Sequence, residues 1–288
     1  MKGKGFAFGA VSIVNAIATG KGAALGIRLK TEAEVELLEG SEEIDVKIIG
    51  CDCEKDKTLA KYIVKEVLTH FGHKNYGAKV TTKSEIPIGK GLKSSSVAAN
   101  AIVLATVSSL REELDDFTLI NLGVNSSIKA GVTITGAFDD ACASYFGGLV
   151  VTDNEDRIIK RREILMEKNC ILIYVPPEKA YTKDVDVIML HNFKSLFEEA
   201  NVMVMRRKYW DAMVLNGLAC STALGFSTKP MMSALSAGAI CAGLSGTGPA
   251  VSAVCSSDKV DNIISVWSNL PGEVISTSIN NEKARMVD

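Results

Sequence analysis

The chain has 288 residues, 47% of them hydrophobic and 23% charged, an ordinary globular balance with length enough for one large or two modest cores. Its 32 basic and 34 acidic side chains leave a formal charge of -2, which excludes the strong positive field that a nucleic-acid backbone or an anionic membrane selects. A small molecule is the expected partner, with no nucleic acid and no membrane.

The first thirty residues alternate small apolar groups with glycines and read as buried strands. Met1-Lys2-Gly3-Lys4 followed by Phe6 to Ala18 imitates a signal peptide, yet Gly9, Ser12 and Asn15 dilute the run. Residues 33–38 and 44–49 carry the period-two alternation of half-buried strands. From Lys57 to Phe71 the apolar Leu59, Ile63, Val64, Val67 and Leu68 fall on one helical face, with Lys61, Lys65 and Glu66 on the other.

A strand is expected over 77–84, then a turn, then a central buried helix on which Val97, Ala101, Leu104 and Val107 repeat at helical spacing. Helices follow at 116–129 and 138–146, and strands near 148–152 and 170–175 bracket a charged segment, Asp153 to Glu167. The domain boundary is placed there, giving domains 1–153 and 154–288. Beyond the loop at Pro176-Pro177 come a helical region over about 184–225, a helix at 230–238, strands at 239–244 and 250–255, a helix at 258–268 and a strand at 273–278. Strands and helices in mixed order, without a regular βαβ period, predict an α+β fold. Two further uncharged stretches, Ser94 to Leu110 and Pro230 to Ser257, are too short or too broken by Gly, Ser and Pro to span a bilayer.

Seven cysteines scattered through apolar stretches, with no repeated Cys-x-x-Cys pair, read as reduced thiols in a cytoplasmic protein. Cys51-Asp52-Cys53 is too tight for a tetrahedral metal site, and His70-Phe71-Gly72-His73 closes a helix.

Three segments carry chemistry. In Pro87-Ile88-Gly89-Lys90-Gly91-Leu92-Lys93-Ser94-Ser95-Ser96 a strand ends, two glycines permit unusual backbone angles, and three serines open a buried helix. The unpaired N–H groups and positive end of such a helix attract phosphate; hydroxyls can donate to phosphate oxygens or ligate Mg²⁺, and Lys90 and Lys93 add charge. A serine-capped helix would look the same in isolation. No G-x-x-x-x-G-K-[S/T] loop occurs, so this is not a Walker motif. Gly243-Leu244-Ser245-Gly246-Thr247-Gly248-Pro249 is a second glycine turn between strands, open to the reading of a plain tight turn. In Thr135-Gly136-Ala137-Phe138-Asp139-Asp140 two carboxylates enter an apolar stretch, as a helix N-cap or as groups that accept a proton from a substrate hydroxyl.

Together these segments resemble the GHMP kinases, the superfamily of galactokinase, homoserine kinase and mevalonate kinase. The middle motif, Pro-x-x-x-Gly-Leu-x-Ser-Ser, matches Pro87, Gly91, Leu92, Ser94 and Ser95; the carboxyl-terminal motif matches Ser245-Gly246-Thr247-Gly248-Pro249; the first matches Gly3-Lys4 and Phe8-Gly9. The whole chain is most similar to the archaeal-type shikimate kinases, through Gly5 to Val11, Gly89 to Ser96 and Thr135 to Ser144.

The resemblance implies a ribosomal-protein-S5-like amino-terminal domain, a ferredoxin-like carboxyl-terminal domain, and ATP- and Mg²⁺-dependent phosphorylation of shikimate to shikimate 3-phosphate by a cytoplasmic monomer or homodimer. It makes Asp139 the catalytic aspartate, Lys4 the lysine that polarises the acceptor hydroxyl and Ser95 the Mg²⁺ ligand. Pro87, Gly89, Lys90, Gly91, Leu92, Lys93, Ser94, Ser95 and Ser96 form the nucleotide loop. Asp140, Ser245, Gly246, Thr247 and Gly248 stand on the substrate side. Where mevalonate kinase has Glu-His in its first motif this chain has Ala10-Val11, and no acid stands near Ile128 where that enzyme has its Mg²⁺-binding glutamate. Homoserine is the alternative acceptor, and a ligand-binding relative without turnover the alternative from another class. For a shikimate-like carboxylate, Lys183 and one of Arg206 or Arg207 are the candidate cations, against the reading of a solvated helix face.

Overall fold

The structure, a computed structural model, describes residues 1–50, 54–73, 75–166, 168–178, 180 and 187–287. Cys51, Cys53 and Lys183 therefore lie outside the described residues, as do Tyr181 to Asp186 around Lys183.

Two sheets organise the chain. The first has seven strands: β1 (Lys2–Val14), β2 (Lys21–Glu39), β3 (Ile44–Ile49), β4 (Tyr76–Ser84), β5 (Leu149–Asp153), β6 (Ile158–Glu163) and β11 (Arg285–Val287). β2 is long enough to serve several neighbours: β1 runs along it, β4 pairs with Thr31 to Glu39, and β5 pairs with Lys21 to Leu25. β3 joins β4 in parallel through the crossover helix α1 (Glu54–His70). Three more helices complete this half: α2 (Ser94–Leu110), α3 (Asp116–Lys129) and α4 (Phe138–Phe146). α2 is buried almost throughout, which is why its sequence shows no polar face.

The second sheet has the order β10-β7-β9-β8, with β7 (Cys170–Val175), β8 (Cys241–Leu244), β9 (Val251–Cys255) and β10 (Glu273–Ser278). Helices α5 (Val187–Asn192), α6 (Lys194–Met205), α7 (Tyr209–Leu224) and α8 (Lys229–Ser236) lie between β7 and β8 in the chain, and α9 (Val260–Trp267) between β9 and β10. All three pairings are antiparallel, and read along the sheet the strands are the fourth, first, third and second of this half in chain order, which is the ferredoxin-like arrangement.

The α+β expectation holds, and most elements fall within a few residues of their predicted places. Three differences have local causes. The helical region expected over 184–225 is broken at Phe193 and again at Arg206 to Lys208, where Arg207 takes a left-handed φ of 63°. The charged segment after Asp153 contains β6, an edge strand with alternating exposure that pairs only with β5; charges are the usual dress of such an edge. The last residues return as β11 to pair with β1. Residues 158–163 and 285–287, beyond the boundary expected at 153/154, thus belong to the first sheet.

Phe6 to Ala18, the stretch that imitates a signal peptide, is largely strand β1, and no helix among the described residues is long and apolar enough to cross a membrane. The five described cysteines are free, and burial pushes the thiols of Cys142, Cys220 and Cys241 up, as inert packing groups require.

Candidate active site

The turn from Ser84 to α2 is docked against the second glycine loop. Gly89 and Gly91 have φ of 71° and 78°, and a Cβ on Gly91 would lie 2.2 Å from the Ser245 carbonyl oxygen, so only glycine permits this approach. The Ser245 hydroxyl donates to Gly91 O at 3.1 Å, and Ala250 N–H donates to Lys90 O at 3.0 Å. β1 joins the same junction: Gly246 N–H donates to the Ser12 hydroxyl at 3.0 Å, and Asn15 Nδ2 donates to Gly246 O at 3.1 Å.

The helix that follows is not serine-capped. Its N-cap is Lys93, in left-handed conformation and making no side-chain cap, so Ser94, Ser95 and Ser96 occupy the first turn. The turn opens into a cleft lined by Gly89, Gly91, Lys93 and the three serines, by Ala137, Asp139 and Asp140, and by Asn15, Thr135, Gly246 and Thr247. Uncapped N–H groups, the positive helix end, three hydroxyls and an ammonium are the features that suit this end of α2 to an anion. Leu92 is buried in the core, and neither it nor the half-buried Pro87 lines the cleft. Ser245 and Gly248 are likewise behind the cleft wall, Gly248 against the ring of Phe226.

The two loop lysines have different tasks. Lys90 is buried and its ammonium donates to three carbonyl oxygens, Pro176 at 2.5 Å, Pro177 at 2.9 Å and Glu178 at 2.6 Å. Three donors meet three acceptors, so Lys90 fastens the loop to the chain leaving β7 and does not face the cleft. Ala180 N–H adds a bond to Gly89 O at 3.0 Å. Lys93 reaches into the cleft, with Nζ 3.0 Å from Asp140 Oδ1.

α4 presents the two acids. Its N-cap is Ala137, at φ 49°, so Asp139 and Asp140 sit in the first turn beyond the cap, where the positive helix end favours anions. The missing cap is supplied from β5's far end: Asn154 Oδ1 accepts from Asp139 N–H at 3.1 Å, while Asn154 Nδ2 donates to Asp139 Oδ1 at 2.8 Å. Thr152 Oγ1 holds Asn154 Oδ1 at 2.7 Å. The other carboxylate oxygen of Asp139 faces Gly22 of β2, where a Cβ would lie 2.3 Å from Oδ2. Asp140 is buried, and its carboxyl is pushed up to about 7, chiefly by burial, then by the Asp139 charge, with Lys93 acting in the opposite direction.

Two expected site residues are elsewhere. Lys4 pairs with Glu34 at 3.2 Å on an exposed part of β1, and its neighbours Gly3 and Gly5 pack against Ser109 and Leu104 at the last turns of α2. A 17-residue helix is about 25 Å long, so Lys4 stands at the opposite end of α2 from the cleft. Those glycines serve helix packing. Arg206 is exposed at the end of α6 and lines no part of the cleft; Arg207 pairs with Glu163 at 3.0 Å. Sequence reading missed Asn15, Gly22 and Asn154, each an isolated residue without a motif whose meaning comes from a partner on another element. Among the described residues no group of three or more His, Cys, Asp or Glu side chains could hold a metal.

The model of the GHMP kinases N terminal domain matches residues 58–148, which span α2 and α4. The chain is 44% identical to the shikimate kinase of Methanothrix thermoacetophila over 286 residues, 99% of this chain and 96% of that protein. It is 45% identical to the shikimate kinase of Methanosarcina acetivorans over 285 residues, covering 98% and 96%. In fold it resembles the crystal structure of homoserine kinase from Cytophaga hutchinsonii, with a TM-score of 0.76 at 17% identity over 99% of this chain and 97% of that one.

Proposed function

We propose a division of labour within a chain that belongs to the GHMP kinases and, among them, to the shikimate kinases: it phosphorylates shikimate with ATP, and the cleft between α2 and α4 is where the two substrates meet. The observation that carries the assignment is that the uncapped first turn of α2 and the two carboxylates of α4 face each other across one cleft.

The triphosphate rests on Gly89 to Ser96, held by backbone N–H groups and the serine hydroxyls. An apolar side chamber opens past Asp56, Ile88 and Ser94 between Val46, Ile48, Ala60 and Ile102, and suits the purine. Ser95 would hold Mg²⁺, and the ion would supply charge neutralisation of the phosphates. Asp139, oriented by Asn154, accepts the proton of the attacking shikimate hydroxyl or fixes that hydroxyl in line with the γ-phosphoryl. Positioning and electrostatics are sufficient for a loose phosphoryl-transfer transition state. Lys183 remains our candidate for the acceptor carboxylate; Ala180, three residues before it, lines the cleft.

An assay coupled to ADP release, with shikimate, homoserine and mevalonate offered separately, tests this reading. Turnover on shikimate alone is expected. ATP binding without turnover on any of the three would overturn it in favour of a non-catalytic ligand-binding protein.

A further inference from the structure

Lys93 occupies a backbone position that would suit glycine better. Its φ of 65° lies in the left-handed region, where a residue with a Cβ carries a steric cost. The docking of the loop does not require its side chain, since Lys90, Ser245 and Ala250 already fasten the turn from behind. The ammonium is instead directed into the cleft, where it is the only cation among the described lining residues. Its side chain is 9% exposed and that of Asp140 10%, with 3.0 Å between Nζ and Oδ1. A Cβ on Gly246 would lie 2.9 Å from the same Nζ, so the glycine loop leaves room for this ammonium. One buried cation therefore stands between the anion site at the start of α2 and the pair of acids at the start of α4.

We propose that Lys93 and Asp140 exchange partners as substrates bind: the nucleotide draws the Lys93 ammonium from Asp140 onto the transferring phosphoryl group, and Asp140, so released, takes a hydroxyl of the acceptor as its hydrogen-bond partner. This rests on the reading of the cleft as the meeting place of nucleotide and acceptor, and adds to it a coupling between the two. A polyphosphate carries more charge than a carboxylate and sits at the end of α2, to which Lys93 belongs, so it competes well for the ammonium. A polyol's hydroxyls both donate and accept, so they can pair with the buried Asp140 carboxyl once its counterion has moved. Nucleotide binding thereby prepares the acceptor site, and before it Asp140 is occupied.

The test is calorimetric and kinetic, on the full chain. Shikimate affinity is measured with and without a non-hydrolysable ATP analogue and Mg²⁺, in wild type, Lys93→Gly and Asp140→Asn. Glycine is at ease at the φ of residue 93, so Lys93→Gly removes the ammonium without straining the fold, and a melting curve verifies this. We expect the analogue to tighten shikimate binding to the wild type about tenfold, within the usual range of site-to-site coupling, and to leave both variants unaffected. Lys93→Gly should also lose about a hundredfold or more in kcat, as for removal of a group that meets developing charge, and Lys93→Arg should recover part of it. An unchanged shikimate affinity of the wild type on adding the analogue, or retention of the gain by Lys93→Gly, overturns the proposal. So does a Lys93→Gly variant whose kcat is preserved while its KM for shikimate rises, which would place the ammonium on the acceptor carboxylate. Failure of the underlying reading is distinct: the wild type would then not turn over shikimate at all.

Discussion

Asn154 and Asp139 are bonded to each other twice, the amide donating to one carboxylate oxygen at 2.8 Å and its carbonyl accepting the Asp139 backbone N–H at 3.1 Å. The pair caps α4 and fixes the carboxylate's direction in one stroke. Asp139→Asn keeps size and removes the charge, so kcat should fall by two or more orders of magnitude, on the scale of about 10²–10⁴ for a lost acid–base group, with nucleotide affinity nearly unchanged. Asn154→Ala should lower kcat less and cost about 1–2 kcal/mol of stability through the lost cap. Steady-state kinetics, nucleotide titration and thermal melts read these quantities. Near-normal turnover of Asp139→Asn would remove that carboxylate from the mechanism.

Gly22 makes the opposite contribution, by having no side chain. It pairs with Thr152 across the sheet, and a Cβ there would lie 2.3 Å from Asp139 Oδ2. Gly22→Ala should force the carboxylate to turn and lower kcat by more than tenfold, while the affinity for the ATP analogue stays within a factor of about two, the signature of a lost transition-state contact. Wild-type kcat in this variant would mean that the Asp139 side chain has another productive position.

Lys90 is the mechanical counterpart of Lys93. Removing its ammonium leaves the carbonyls of Pro176, Pro177 and Glu178 without their buried donor. Lys90→Met should therefore cost about 3 kcal/mol of stability, and the loosened loop should raise KM for ATP before it affects the chemical step. A melt and an ATP-dependence curve separate the two effects; unaltered KM in a destabilised variant would confine Lys90 to folding.

Asp140 gives the ligand-free enzyme a pH signature. Its ordinary pKa of 3.8 is raised to about 7, first by burial and then by Asp139, against the opposing pull of Lys93. A folded state that holds the proton more tightly gains stability that is complete below the ordinary value and lost as the pH rises through about 7. The melting temperature of the ligand-free protein should accordingly decline across that window, and Asp140→Asn should flatten the decline. An identical pH profile for variant and wild type would show that the Lys93 pairing outweighs burial.

Much of this was legible in the chain. The turn at 87–96 can be read as a candidate anion site because glycines, serines and the start of an apolar helix are adjacent in sequence, and the chemistry of a helix terminus is local. The same holds for Asp139 and Asp140, whose glycine and apolar setting already marks a helix start with unusual charge.

Tertiary structure alone decided which of the local candidates face the cleft. Lys90 and Lys93 look alike in sequence, yet Lys90 meets carbonyls 86 to 88 residues away and Lys93 meets a carboxylate on α4. Gly3-Lys4 matches a motif, but the register of β1 along α2 carries it to the wrong end of that helix. Gly22 and Asn154 have no sequence signal, since their roles exist only where β2, the end of β5 and α4 converge. Short-range patterning determines which segments form helices, strands and turns; the pairing of residues far apart in the chain, set by packing and strand register, determines which of their side chains meet.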